Sequence, residues 1–132
     1  MTDRQHELGT AELEVLKSLW DLGPCTVREV LTHLHGQGRR VAYTTVLTFL
    51  TRLEQKGFVN SDKSGLAYVY RAAVSRERVT RSRLRTLVEE LYDGATGQLA
   101  LHLVRTAKFS RREIEELQRL IDDLDSKTER RK

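Results

Sequence analysis

The chain has 132 residues, of which 39% are hydrophobic and 32% charged, with a net charge of +4 and a pI of about 9.5. That length fits one domain, or one compact domain with a helical extension, and the mild basicity is compatible with a nucleic-acid partner. One cysteine, Cys25, excludes an intrachain disulfide and a cysteine-rich metal site, as expected of a reducing compartment. The first seven residues are polar and lack a signal core, and no apolar run approaches the length of a membrane span. A soluble cytoplasmic protein without direct membrane association is expected.

The first helix is expected over residues 10–22. Thr10 serves as its N-cap, Glu12 and Glu14 sit near the positive end of the dipole, and Leu13, Leu16, Leu19 and Trp20 form its inner stripe. Gly23-Pro24 ends it. A second helix starts at Thr26, where Thr26-Val-Arg-Glu29 is a capping box. Val27, Val30, Leu31 and Leu34 face inward, and Gly36 and Gly38 break the helix.

Residues 43–56 carry the most information. Val46, Phe49, Leu50 and Leu53 fall at i, i+3, i+4 and i+7, which predicts a third helix with one apolar stripe. Its other face carries Thr44, Thr45, Thr48, Thr51, Arg52 and Gln55, with no carboxylate before Glu54. Such a face suits the major groove of DNA. Hydroxyls bond phosphates or base edges, threonine methyls meet thymine methyls, and arginine forks onto guanine. A Thr-rich solvated helix is the alternative. Gly57 ends the helix at C′.

Two β-prone stretches follow, residues 58–61 and 66–71, with a turn at 62–65. Helix, helix, helix, hairpin is the order of a winged helix-turn-helix, so residues 1–73 are expected to be a DNA-binding domain. The candidate DNA contacts are Tyr43, Thr44, Thr45, Thr48 and Arg52 on the third helix, Arg28 opening the second, Arg40 beside Arg39 in the loop, and Lys63 at the wing tip with Arg71 nearby. Arg52 is the first choice for reading a base, with a phosphate contact or a salt bridge as the alternatives.

Residues 74–132 are expected to be a helical dimerisation domain with a polar, frayed C-terminal tail from Ser126. Ser75 caps a helix to about Tyr92, Asp93-Gly94 interrupts, and a short apolar segment spans 98–104. A last helix runs from Ser110 to about Asp125, opened by the capping box Ser110-Arg-Arg-Glu113. Leu87, Leu91, Leu99, Leu103, Ile114, Leu117, Leu120, Ile121 and Leu124 would be left bare in a monomer. Pairing with a second copy buries them; folding back on the winged domain is the alternative. The arginines at 76, 78, 81, 83 and 85 spread around their helix and are read as a solvated linker.

Other singular residues carry less. His33 and His35 point apart on a helix and make a poor metal pair. His102 sits in an apolar stretch, at a dimer core or its boundary, where titration near neutral pH would modulate the dimer. Cys25 precedes a helix whose dipole would lower its thiol pKa, which makes redox sensing conceivable; a small packed residue is the commoner explanation. No catalytic constellation and no phosphate-cradling loop is present, so neither an enzyme nor a resident cofactor is expected. A winged-helix protein-interaction module that never reads DNA remains the competing function.

The segments Leu8-Gly-Thr-Ala-Glu-Leu-Glu-Val-Leu-Lys-Ser-Leu-Trp20, Thr26-Val-Arg-Glu-Val30, Ala42-Tyr-Thr-Thr-Val-Leu-Thr-Phe-Leu-Thr-Arg-Leu-Glu-Gln-Lys-Gly57 and Tyr68-Val-Tyr-Arg71 together resemble the penicillinase and methicillin-resistance repressors of the BlaI/MecI type. The resemblance spans nearly the whole chain. It implies a homodimeric transcriptional repressor on palindromic DNA operators, in front of resistance or stress genes. In the best-known members a membrane metalloprotease sensor of β-lactam triggers cleavage in the middle helix of the dimerisation domain. The matching segment here is Leu99-Ala-Leu-His-Leu-Val104, which makes His102 and Leu103 the candidate cleavage site, in place of the family's usual Asn-Phe. Copper-responsive relatives use cysteine pairs near the C-terminus, and this chain has none there.

Overall fold

The computed structural model describes residues 8–130. Their contacts divide the chain into two compact units, one ending at Leu84 and one beginning at Arg85.

In the first unit the order is α1 (Thr10–Leu22), β1 (Cys25–Thr26), α2 (Val27–Gly36), α3 (Tyr43–Gln55), β2 (Val59–Asp62) and β3 (Val69–Ala72), followed by the start of α4 (Arg76–Tyr92). The apolar periodicity closes on itself here. Leu16, Val30, Val46, Leu50 and Leu53 are fully buried, and Val15, Leu19, Leu34 and Val59 nearly so. Each such leucine or valine contributes roughly 1.5–3 kcal/mol through the area it removes from water. Leu16 and Leu19 carry the α1 stripe as expected, joined by Val15, while Leu13 and Trp20 are only half-buried.

The sheet is antiparallel in the order β1-β3-β2, with Cys25 opposite Tyr70 and Ser61 opposite Tyr70 on the other side. Sequence reasoning had the β2–β3 hairpin but not β1, whose two residues double as the lead-in to α2. β2 is shifted by one residue from the expected 58–61, and β3 is shorter than the expected 66–71 and starts later. Phe58 closes the end of α3, and Leu66 and Tyr68 belong to the loop.

Helix ends explain the turn geometry. After α2, Gly38 takes φ 82, and the Arg39 and Gly38 amides donate to the Leu34 and His35 carbonyls. After α3, Gly57 takes φ 85, and the Phe58 and Gly57 amides donate to Leu53 and Glu54. Both are Schellman caps, and the glycine in each sits where a side chain would strain the backbone. Gly36 is the last residue of α2, so the helix ends between Gly36 and Gly38, as expected. At the start of α1 the cap is Gly9, not Thr10. The Glu12 carboxylate folds back to accept the Gly9 amide at 2.9 Å.

The second unit holds the rest of α4, then α5 (Thr96–Thr106) and α6 (Arg111–Arg130). Asp93 and Gly94, with φ 49 and 88, stop α4. Ser110 and Glu113 cap α6 reciprocally, as the sequence predicts. α6 runs past the expected end near Asp125, continuing through Ser126 to Arg130, with Thr128 donating back to the Leu124 carbonyl. Among the described residues of this unit only Val88 is buried.

Candidate nucleic-acid interface

The helix-turn-helix is α2, the loop after Gly38, and α3, with the β2–β3 hairpin as its wing. Burial of Val46, Leu50 and Leu53 fixes the rotation of α3 and turns Thr44, Thr48, Thr51 and Arg52 outward, all exposed. Thr45 is half-buried. Tyr43, at the first turn, is 42% exposed, and the Arg28 guanidinium sits 5.3 Å from its ring centroid. That stacking ties the start of α2 to the start of α3.

Capping distinguishes α3 from its neighbours. Thr26 and Glu29 satisfy the first amides of α2, and Ser75 accepts from Arg78 at the start of α4. Ala42 caps α3 without a side-chain hydrogen bond, and no acid lies in the first turn of α3. The Thr45 and Val46 amides donate to the Ala42 carbonyl, and the Tyr43 and Thr44 amides ahead of them are left open to an anion, at the positive end of the dipole.

Two threonine hydroxyls are partly committed. Thr48 donates to the Thr44 carbonyl at 2.8 Å and Thr51 to the Leu47 carbonyl at 2.9 Å. With the hydroxyl proton spent on the backbone, each oxygen can still accept, so these residues present an acceptor and a methyl group. That pair suits an adenine or cytosine amino group beside a thymine methyl. The Arg52 guanidinium lies 5.8 Å from the Phe49 ring centroid and forms no ion pair among the described residues.

The one carboxylate on this face is disposed of. Glu54 accepts from the Ser61 hydroxyl on β2 and lies 3.8 Å from the Lys63 ammonium. The wing and the recognition helix are thereby tied, and the charge that would repel phosphate is turned toward cations. Lys63 remains exposed, with the Tyr68 ring centroid 5.8 Å away. Arg40 is exposed, whereas Arg39 is held by Glu14 at 2.7 Å. The structure therefore brings Tyr43, Thr44, Thr48, Arg52 and Arg28 together around α3, and ties Lys63 to the same helix through Glu54.

The minor candidates resolve differently. Cys25 is 3% exposed, and burial together with the Glu29 charge pushes its thiol up to about 11. The shift runs opposite to the lowering expected from the helix dipole, and a thiol of that kind is inert at neutral pH. His33 faces Asp21 at 3.4 Å, while His35 bonds the Val41 carbonyl. No cluster able to hold a metal occurs among the described residues. In the basic run, Arg76 pairs with Asp21 and stacks on Trp20, and Arg83 donates to the Leu8 carbonyl, so these arginines are anchored rather than merely solvated.

Sequence reasoning missed the partner of Glu12. Its side chain is 7% exposed and pairs with Lys56 at 2.7 Å, joining the start of α1 to the end of α3 across 44 residues. Among the described residues, no helix is long and apolar enough to cross a membrane.

The residues assigned to the dimer lie on three helices. Leu91, Leu103, Ile114, Leu120, Ile121 and Leu124 are 41–67% exposed, Leu87 is exposed at 37%, and Leu99 and Leu117 are half-buried. His102 and Leu103 sit in the middle of α5, both exposed.

The chain matches the family model described as penicillinase repressor over residues 8–123. It is 25% identical to the penicillinase repressor of Staphylococcus aureus over 96% of this chain and all of that one. It is 25% identical to the methicillin resistance regulatory protein MecI of Mammaliicoccus sciuri, covering 92% and 98%. Among solved structures it is similar to the Bacillus licheniformis BlaI monomeric form in complex with the blaP half-operator. That similarity has 31% identity and a TM-score of 0.46, over 54% of this chain and 85% of that one. With most of its length matched, this winged-helix chain belongs to the penicillinase repressor family, a family of transcriptional repressors and not of enzymes.

Proposed function

We propose that this chain, a DNA-binding transcriptional repressor, acts in the cytoplasm as a homodimer on palindromic double-stranded operators, one α3 per half-site. The observation that carries the reading is the outer face of α3: no side-chain cap at its start, acceptor-and-methyl threonines along it, an Arg52 that ion-pairs with no described residue, and its carboxylate drawn off to the wing. Thr44, Thr45, Thr48 and Arg52 read base edges, while Tyr43, Arg28, Arg40 and Lys63 hold phosphates and set the register.

The bare leucines and isoleucines of α5 and α6, with Leu87 and Leu91 of α4, pair with those of a second copy. Two half-sites one helical turn apart then match the two-fold symmetry of the protein. A cut between His102 and Leu103 would separate α6 from the winged unit and release the operator. A membrane metalloprotease sensor is the partner this reading assigns to that step.

The test is fluorescence anisotropy of the full chain on the duplex upstream of its own gene and on a scrambled duplex, across a salt series. Upstream preference with a steep salt slope is the expected result. Equal weak binding to both duplexes, and to any duplex enriched from a random library, would instead favour a protein-interaction module.

A further inference from the structure

Glu12 is a carboxylate in the wrong place for a surface helix. Its residue is 5% exposed, and its Oε1 accepts both the Gly9 amide at 2.9 Å and the Lys56 ammonium at 2.7 Å. Its Oε2 is buried with no hydrogen-bond partner. Burial alone would raise its pKa; the Lys56 and Gly9 hydrogen bonds and the charges of Lys56 and Arg52 outweigh this and lower it, so the group is ionised at neutral pH. A buried ion pair of this kind contributes little net stability compared with well-packed apolar side chains. What it supplies is a fixed geometry between the elements it joins.

Those elements matter. Lys56 is the C-cap of α3, and Arg52 is one turn before it. The start of α1 is itself closed by the same carboxylate through Gly9. One side chain thus fastens the last turn of the recognition helix to the first turn of α1 and supplies the negative field beside Arg52.

Resting on the reading of α3 as a DNA-reading helix, we propose that Glu12 is a positioning residue for sequence readout, setting the angle of α3 and the reach of Arg52 without touching DNA. Electrostatics alone shifts affinity for operator and random DNA together and leaves their ratio unchanged. Glu12→Gln raises the net charge by one from +4, which tightens binding to any DNA, whereas Lys56→Met lowers it by one and weakens binding to any DNA. If the pair positions α3, both changes lower the preference for operator over random sequence, although they shift non-specific affinity in opposite directions.

The probes are a duplex enriched by the wild-type protein from a random library and a scrambled duplex of the same composition. Anisotropy gives both affinities, and Trp20 fluorescence confirms that each variant is folded. The expected result is a fall of about tenfold or more in the operator-to-scrambled ratio for each variant, comparable to losing one good base contact. Glu12→Gln alone binds the scrambled duplex more tightly. An unchanged ratio, with both affinities merely following net charge, overturns the inference. Should Lys56→Met, which strands the buried Glu12 carboxylate, fail to fold, Glu12→Gln decides, since Lys56 is 26% exposed and the amide oxygen can still accept the Gly9 N–H. A wild-type protein that enriches no sequence fails the operator reading itself, an outcome distinct from an enriched operator whose preference survives both substitutions.

Discussion

The two units are written in the same alphabet and meet different ends. From α1 to β3 the apolar residues recur at helical or strand spacing and find one another, so Leu16, Val30, Val46, Leu50 and Leu53 have essentially no exposure. In α6 the spacing of Ile114, Leu117, Leu120, Ile121 and Leu124 is just as regular, yet four of the five are exposed and Leu117 is only half-buried. Periodicity states which face of a helix is apolar. It does not state whose surface will cover that face. A three-helix cluster with a small sheet supplies its own cover, and long helices with polar flanks do not.

The contrast is sharpest if broken separately at each end. Leu120→Asp should act only on the second unit. Two leucines leave a two-fold interface and two carboxylates enter it, a loss of roughly 3–6 kcal/mol from the apolar burial of two side chains. Sedimentation should show monomers and operator binding should weaken with them, while unfolding followed by Trp20, the only tryptophan, stays close to wild type. A variant that sediments unchanged would remove α6 from the interface.

Leu50→Ala is the converse. Leu50 is fully buried against the core that α1, α2 and the sheet share, and its truncation should cost about 2–5 kcal/mol. The Trp20 transition should move to lower urea, and the dimer constant should not. Coincident loss of both would mean that the two units fold as one.

Within the first unit, Arg52→Ala separates packing from readout. The side chain is exposed and ion-pairs with no described residue, so stability should change little. Operator binding should weaken by about 1–3 kcal/mol if Arg52 forks onto a base. Equal weakening on operator and scrambled DNA would assign it to a phosphate.

Much of this was legible in the sequence, for reasons that differ by residue. The stripe Val46, Leu50, Leu53 fixed the face of α3, because only three or four positions per two turns can point into a core. The boxes Thr26–Glu29 and Ser110–Glu113 were legible because both partners lie within one turn. Glu12 was read as a dipole residue, and its true roles divide by distance. The Gly9 bond is local and could have been found from the i−3 spacing; the Lys56 bond spans 44 residues and exists only once α1 and α3 have packed. β1 was missed because two residues carry no alternation. The basic run of α4 is exposed at all five arginines, as read, but Arg76 and Arg83 also reach back to Asp21 and to the Leu8 carbonyl, contacts that sequence spacing along one helix cannot show.

The smallest effect isolates the junction of α3 and the wing. Gly57 sits at φ 85, and a Cβ there would meet nothing within 4 Å, so Gly57→Ala adds backbone strain without a clash. The expected cost is about 1–2 kcal/mol, the penalty for a left-handed alanine, read as a lower Trp20 midpoint. If the Schellman cap holds, the Phe58 amide keeps its bond to the Leu53 carbonyl, and the tie from Glu54 to Ser61 keeps the wing in place. Operator preference should then survive at wild-type level even though stability falls. Loss of preference at that modest cost would mean that the cap, and not the Glu54 link, sets the wing against the recognition helix.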